Sequence, residues 1–273
     1  IGGSVESFAA MMNERAKELG CTDTHFVTPN GLDREDDGGA HSTTAADLAR
    51  IMKYCITQSP KKEEFLSITR AKSYEFASID GKRHFSCNNH NLFLTMMEGA
   101  LSGKTGFTAK AGYCYVGALK RDERTFIVAL LACGWPNNKG YKWKDTKKLM
   151  EYALENYEYR DVWQELPEEE IKVDGGVNPD DDFDFECRVR AGMKPEDQGG
   201  EFRVLLRKDE EVTTEKKAES SVDAPVKKGE RVGEFTYMLE GEEIKSLDIV
   251  TLEAIEKRDK EWCFDKIAEM ICL

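Results

Sequence analysis

The stretch LSGKTGFT, residues 101–108, contains the residues that could do chemistry, because it combines a lysine and two threonines with two glycines. A lysine on an exposed strand supplies fixed positive charge for a ligand carboxylate and holds nearby protons in place. Thr105 can hydrogen-bond the same carboxylate, and Gly106 has no side chain to keep a ligand backbone away. The amide of Phe107 would then be free to serve as half of an oxyanion hole. This pattern predicts a substrate-binding strand.

Lys104-Thr105-Gly106 has two other possible interpretations. A phosphate-binding loop requires the pattern GxxxxGK[ST] followed by a helix. Glu98 stands where the first glycine of that pattern belongs, and a strand-like segment follows, so this interpretation fails. The other interpretation, a turn that merely contains a lysine, remains possible, because the tripeptide is short and common.

The elements around this stretch indicate helices first, then strands, then a helix, which is typical of an α+β domain with an antiparallel sheet. Ser4 is a suitable N-cap, and Thr44 with Asp47 resembles a capping box. Asp80-Gly81 is a favoured hairpin turn. We expect helices near residues 4–19, 44–55 and 145–157, a hairpin at 73–85, and strands at 101–108, 113–119 and 125–133.

An acidic segment containing proline and glycine, residues 165–182, marks the boundary between this domain and a second one. Short alternating segments at 183–189, 201–206, 231–239 and 244–253 predict a small all-β domain. We therefore expect domains at 1–162 and 163–256, followed by an amphipathic helix at 257–273. Its periodicity fits both a helix on a membrane surface and an ordinary docked helix.

Composition excludes several classes of function. The chain of 273 residues has 52 acidic and 39 basic residues and a net charge of −13, which argues against nucleic-acid binding. The eight cysteines have no CxxC spacing and read as small buried thiols, so either the compartment is reducing or the thiols are kept free. His25, His41, His84 and His90 show no zinc-like spacing, and we expect no metal and no cofactor. For His25 and His90 we expect structural roles.

Segments along most of the chain resemble the D-alanyl-D-alanine carboxypeptidases, which are low-molecular-mass penicillin-binding proteins of the serine acyltransferase superfamily. The segments are residues 12–33, 41–52, 103–131 and 147–157, and residues 224–244 resemble the C-terminal β-sandwich domain of that family. The resemblance implies a β-lactamase/transpeptidase-like domain, here incomplete, followed by a β-sandwich. It also implies that residues 257–273 begin a membrane anchor.

The family uses three motifs: SxxK with the nucleophilic serine, SxN, and KTG. By resemblance Lys104, Thr105 and Gly106 are the third motif, Phe107 contributes its backbone amide, and Thr108 helps to bind the terminal carboxylate of the substrate. Arg83 could also reach the groove, although an exposed hairpin arginine is the simpler interpretation.

The sequence patterns of the first two motifs are matched by Ser59-x-x-Lys62 and Ser86-x-Asn88. We reject both. A catalytic SxxK opens a buried helix, whereas the segment around Ser59 is wholly polar and follows one. The segment at 24–33, which the family has after SxN, here precedes Ser86. We therefore expect no catalytic residue in this chain, both motifs upstream of Ile1, and inactivity without that N-terminal segment as a partner.

The resemblance implies an intact enzyme that removes the terminal D-alanine from peptidoglycan pentapeptides ending in D-Ala-D-Ala, through a serine acyl-enzyme. β-Lactam antibiotics would acylate the same serine. The expected location is extracytoplasmic, on the outer face of the bacterial cytoplasmic membrane. The alternative is a non-catalytic relative that acts as a peptidoglycan-binding or scaffold module. A β-lactamase is disfavoured, because such enzymes lack the β domain and the anchor.

Overall fold

The computed structural model describes residues 2–177 and 186–272. The chain divides into two compact units, Ile1–Asn156 and Tyr157–Leu273. Residues 183–185, the beginning of one predicted strand, lie outside the described residues. The mixed α+β architecture predicted from the sequence is confirmed.

The first unit contains helices, two small hairpins and one sheet. Its helices are α1 (Val5–Glu18), α2 (Ala45–Lys53), α3 (Lys62–Arg70), α4 (Phe93–Met96) and α5 (Tyr141–Asn156). A π-helical turn, Tyr54–Gln58, follows α2, and a 3-10 turn, Pro136–Asn138, precedes α5. The small hairpins are β1 (Glu35–Asp36) with β2 (Gly39–Ala40), and β3 (Ser73–Ala77) with β4 (His84–Asn88). The sheet is antiparallel in the order β5 (Ala100–Thr108), β6 (Gly112–Arg121), β7 (Arg124–Leu130).

The predicted caps form as expected. Ser4 Oγ accepts a hydrogen bond from the Ser7 amide at 3.0 Å, and Thr44 Oγ1 accepts one from the Asp47 amide at 3.1 Å. Each bond satisfies an amide that the first helical turn leaves without a backbone partner. Helix α5 begins four residues before its predicted start.

Helix α3 contradicts the interpretation of the segment after Ser59 as a solvated turn. Lys62 begins a helix there, because Phe65 and Leu66 pack against a cluster formed by Met52 and Ile56. Tertiary packing of one apolar side supplies the stability that this polar segment lacks by itself. The acidic segment at residues 33–41 also contains the short strands β1 and β2, which were not predicted.

Two apolar clusters cover the faces of the three-stranded sheet. One face presents Tyr115, Leu119 and Val128 to Phe93 of α4 and Met150 of α5. The other presents Ala118, with Val116 and Ile127, to the cluster at the end of α2. Successive residues of a strand point to opposite faces, so this packing fixes which side chains of the neighbouring strand β5 lie on each face.

The second unit is mainly β-sheet. Its six-stranded sheet has the order β12 (Val212–Ala218), β14 (Arg231–Leu239), β15 (Glu242–Thr251), β10 (Arg188–Met193), β9 (Glu169–Asp174), β13 (Ser221–Asp223). β8 (Tyr157–Asp161) pairs with β11 (Arg203–Arg207). The core centres on Val189, Tyr237 and Ile249, and a helix, α6 (Lys260–Cys272), ends the chain. In the part of the chain that the structure describes, no helix is long and apolar enough to cross a membrane.

Candidate substrate-binding site

The KTG tripeptide lies on β5, which is the edge strand of its sheet. Among the described strands β5 pairs with β6 alone, with Lys104 opposite Val116, Thr105 opposite Tyr115, and Phe107 opposite Tyr113. An edge strand has backbone amides and carbonyls without ladder partners on its outer side. Such an edge can accept an extended peptide as an additional strand.

A cleft of about 1080 Å³ runs along this edge and lies wholly within the first unit. Lys104, Thr105, Gly106 and Phe107 line it, as do residues of several other segments. These include the turn Thr28–Leu32, the residues Asn89, His90 and Leu92 before α4, Tyr113 to Val116 of β6, and Lys139, Gly140, Lys142 and Trp143 at the start of α5. The predicted strand residues are thus brought to one concave surface, the usual setting of a ligand site.

Lys104 and Thr108 lie on one face of β5, with Gly106 between them, and Thr105 and Phe107 lie on the other. The Lys104 side chain is exposed, and its ammonium donates a hydrogen bond to the carbonyl of Thr105. Phe107 is exposed and packs its ring against Tyr113, with the centroids 4.6 Å apart. The cationic side chain and the aromatic surface therefore flank the strand from opposite sides.

The hydroxyl of Thr108 is already engaged within the protein. It donates to Asp33 Oδ1 at 2.9 Å and accepts from the Ala111 amide at 3.0 Å. A threonine hydroxyl has one proton to donate, so no proton of this group is left for a ligand carboxylate. The resemblance assigns Thr108 to carboxylate binding, but in this structure its hydroxyl binds Asp33 and Ala111 instead.

A buried polar pair lies beneath β5. The Tyr115 hydroxyl donates to Asn91 Oδ1 at 2.9 Å, and both residues are buried. Burial raises the pKa of this phenol, which therefore stays protonated. Within the described part of the chain the Asn91 side-chain nitrogen has no hydrogen-bond partner, and it faces Gly103. The pair positions the backbone immediately before Lys104.

His41 holds the segment that begins the rim of the cleft. Its Nδ1 accepts hydrogen bonds from the amides of Val27 and Thr28, at 3.0 and 3.3 Å. Burial, followed by the nearby His25, lowers the pKa of this imidazole. No specific role is predicted for His41 from the sequence, because the residues whose amides it binds are fourteen and thirteen positions away. His25 itself contacts Asp36 at 2.7 Å, and His90 lines the cleft.

Lys142 also lines the cleft without a role predicted from the sequence. Its side chain is only 8% exposed, and its ammonium lies 4.4 Å from the Tyr113 ring centroid and 5.1 Å from that of Trp143. Burial lowers the pKa of this amine, against the opposing effect of the Cys133 and Cys114 thiols. A lysine before a tryptophan at a helix start gave no signal, because charged residues there usually face solvent.

The rejected motifs lie away from the cleft. The described cleft lining includes neither Ser59 and Lys62 nor Ser86 and Asn88. Ser59 stands before α3, where its hydroxyl accepts from the Lys61 amide at 3.1 Å. Arg83 lies on the β3–β4 hairpin, its guanidinium 6.0 Å from the Phe85 ring, and is likewise absent from the described lining. In the residues that the structure describes, no cluster of His, Cys, Asp and Glu is placed to hold a metal ion.

Comparison with known families gives two matches. The D-alanyl-D-alanine carboxypeptidase family matches residues 1–133, and the family described as "Penicillin-binding protein 5, C-terminal domain" matches residues 202–257. The D-alanyl-D-alanine carboxypeptidase DacF of Bacillus subtilis is 25% identical over 263 residues, which cover 94% of this chain and 61% of the relative. The chain thus spans less than two thirds of that relative's length.

Two solved structures share the fold. The D-alanyl-D-alanine carboxypeptidase DacD from Francisella tularensis matches with a TM-score of 0.63 and 21% identity, covering 94% of this chain and 70% of the other. Penicillin-binding protein 5 from Haemophilus influenzae matches with a TM-score of 0.60 and 24% identity, covering 94% and 68%. At these identities the likeness shows the fold alone.

Proposed function

We propose that this chain, whose residues 1–133 match the D-alanyl-D-alanine carboxypeptidase family, forms the substrate-binding part of a serine-type enzyme that removes the terminal D-alanine from peptidoglycan pentapeptides. The observation that supports this most directly is the course of β5 along the cleft, with its edge free and Lys104 to Phe107 in the lining. The peptide end would lie extended beside β5 and pair with its outer backbone groups.

Each residue of the strand then has a role in the proposed reaction. Lys104 supplies positive charge beside the reacting carbonyl, and the Phe107 amide stabilises the oxyanion that forms when a serine attacks. Gly106 leaves room for the substrate backbone. The serine and its lysine base come from a segment outside this chain. The serine oxygen bonds to the carbonyl carbon, the peptide bond breaks, and D-alanine leaves as a protonated amine; water then hydrolyses the acyl-serine ester and restores the serine. β-Lactam antibiotics would acylate the same serine.

Helix α6 supports a location at a membrane surface. Phe264, Ile267 and Ile271 are 75%, 51% and 77% exposed, which is unusual for large apolar side chains in one short helix. Together with the acidic and basic residues of the same helix, they form an amphipathic segment able to lie in the interface of a bilayer. We place the protein on the outer face of the bacterial cytoplasmic membrane, where its substrate is found.

A covalent labelling experiment tests the enzymatic proposal. The natural protein that contains this chain is incubated with a fluorescent penicillin, and label is expected on a serine. Lys104→Ala should slow labelling by at least about 100-fold, as expected when one group that stabilises the transition state is removed. Lys120→Ala, an exposed lysine of β6, is the matched control and should label at the normal rate. Normal labelling of Lys104→Ala would disprove the assignment of the strand.

A non-catalytic peptidoglycan-binding or scaffold module is the second candidate. It is favoured by the position of Ser59 and Ser86, neither of which is in the described lining of the cleft. Such a module would bind peptides ending in D-Ala-D-Ala without forming a covalent bond. A folded natural protein that takes up no fluorescent penicillin but binds the peptide would establish this alternative.

A further inference from the structure

We propose that a slot in the second unit, between β9 residues 169–171 and β12 residues 216–218, binds an extended basic segment of a partner protein. The segment adds as a strand to β12 and places one apolar side chain in the slot. The slot has a volume of about 510 Å³ and lies wholly within that unit. The proposal does not depend on the peptidase reaction, because none of the described slot residues lines the cleft along β5.

Both sides of the slot are strand edges with unused backbone groups. Among the described strands, β12 pairs with β14 alone. β9 pairs on its outer side with β13, but only from Lys172 to Asp174, so residues 169–171 are open on that side. The amides and carbonyls of such an edge can form hydrogen bonds with an added strand. A strand that lies along β12 would therefore cover the slot.

The floor of the slot is the core of the unit. Ile171, Ala191 and Ile249 line it and are only 6%, 2% and 2% exposed. Glu219 and Ser220, which connect β12 to β13, also line the slot. The volume lies in the usual range for ligand sites, about 300–1,000 Å³. An apolar side chain of the ligand would contact the core residues there and leave water, which favours binding.

A charged pair spans the slot where alternation along β12 would place core residues. Lys216 lies opposite the core residue Phe235 of β14, so its side chain starts from the inner face of β12. Its ammonium forms an ion pair with Glu169 of β9. Inward-pointing charges at a sheet edge oppose pairing with an arbitrary apolar strand. The slot therefore selects a strand whose charges match its own.

The carboxylates of the slot determine the sign of that charge. Glu169, Glu170 and Glu219 line the slot, and Lys216 is the one cation in its described lining. Lys216 is paired with Glu169, whereas neither Glu170 nor Glu219 has an ion-pair partner among the described residues. A lysine or arginine on each side of the apolar ligand residue supplies the complementary charge, which speeds association at low salt.

The experiment titrates the isotope-labelled natural protein with three synthetic peptides and follows its amide NMR signals. The first peptide is acetyl-Lys-Val-Thr-Leu-Thr-Val-Lys-amide, whose valines and leucine share one face when the chain is extended. The second has glutamate in place of both lysines, and the third has serine in place of the leucine. We expect the first peptide to shift the signals of residues 169–171 and 215–218, and to bind at least about 10-fold more tightly than either of the others.

A variant that fills the slot tests its position. Ala218 is exposed and lies on the same face of β12 as Lys216, so Ala218→Phe places a ring in the slot. Thr213→Phe, which places the same ring on the outer face of the same strand, is the matched control. We expect Ala218→Phe to weaken binding of the first peptide at least about 10-fold, and Thr213→Phe to bind it like the natural protein.

A second variant tests the charge and does not change the volume of the slot. Glu170→Gln combined with Glu219→Gln should reduce the preference for the lysine peptide over the glutamate peptide towards one, while the preference for leucine over serine stays. Glu242→Gln combined with Glu243→Gln, two exposed carboxylates outside the described lining, should retain both preferences. If Ala218→Phe does not fold, this pair of variants decides the proposal.

Four outcomes would overturn the proposal: no binding of the first peptide, equal affinity for the lysine and glutamate peptides, binding that survives in Ala218→Phe, or shifts confined to residues outside the slot. Signals of β12 that move with protein concentration alone would instead assign this edge to a second copy of the chain, which also overturns it. Ala218→Phe should take up fluorescent penicillin normally, so the failure of this proposal is distinguishable from failure of the enzymatic one.

Discussion

The Tyr115 hydroxyl and the Asn91 side-chain oxygen are joined by a 2.9 Å hydrogen bond directly beneath Gly103, the residue before Lys104. Both partners are buried, and they come from different elements, β6 and the segment before α4. A buried polar pair of this kind has few alternative arrangements, because breaking it leaves groups without partners. It therefore fixes the position of the strand that lines the cleft.

Tyr115→Phe should destabilise the protein. The change removes the donor and leaves Asn91 Oδ1 buried without a partner, which costs about 1–3 kcal/mol. Urea unfolding of the natural protein and the variant should show a lower midpoint with an unchanged slope. Tyr74→Phe is the control, since the Tyr74 ring is 67% exposed. Equal midpoints for natural protein and Tyr115→Phe would mean that the pair contributes no stability.

Gly103→Ala should lower the stability of the protein far more than Gly106→Ala, although both glycines lie on β5. A Cβ on Gly103 would stand 2.8 Å from Asn91 Nδ2 and 2.8 Å from Tyr115 Cζ, both of which are buried. A Cβ on Gly106 would meet only Cys114 Cβ, at 4.0 Å. Overpacking of this kind costs about 1–3 kcal/mol. Thermal unfolding of the two variants compares the sites, and equal melting temperatures would refute the close approach at Gly103.

His41 should make stability depend on pH between neutral and weakly acidic conditions. Burial and the nearby His25 lower its pKa from the ordinary 6.5, so the unfolded chain takes up the proton first. The contribution of His41 is present above pH 6.5 and declines as the pH falls below it. NMR titration should give a midpoint below 6.5 for His41, and His41→Gln should flatten this part of the stability curve. A midpoint above 6.5 would contradict the burial argument.

Asp47 should make the stability of the protein depend on pH in the acidic range. Burial by itself would raise its pKa, but hydrogen bonds from Thr24, the Asp23 amide and Arg50 outweigh it and hold the pKa below the ordinary 3.8. This stabilisation is present above pH 3.8 and is lost as the pH falls through the lower folded-state pKa.

Asp47→Asn should therefore lower stability at neutral pH and weaken the acid dependence, measured as urea midpoints at a series of pH values. Asp37→Asn, which changes an exposed carboxylate, is the control. If the urea midpoint of Asp47→Asn depends on acidic pH as strongly as that of the natural protein, Asp47 is not the cause of this dependence.

The sequence by itself determined the elements whose signals are local. Caps at Ser4 and Thr44, the Asp80-Gly81 turn, and the apolar alternation of β6 and β7 depend on residues a few positions apart, and the structure contains each of them. The same holds for the KTG strand, because its residue types are themselves the signal. Helix α3 was missed because its stability comes from packing against α2 and not from its own polar sequence.

Only the tertiary structure decided how the candidate site is arranged. Asp33 and Thr108 are 75 residues apart, yet the Thr108 hydroxyl donates its proton to Asp33. By resemblance to the family, that proton would be donated to the ligand carboxylate. Lys142 has an ordinary sequence neighbourhood, and its side chain packs against the Tyr113 and Trp143 rings only because α5 packs on the Tyr115 face of the sheet. Such contacts depend on how distant segments meet in space, and spacing along the chain does not encode that directly.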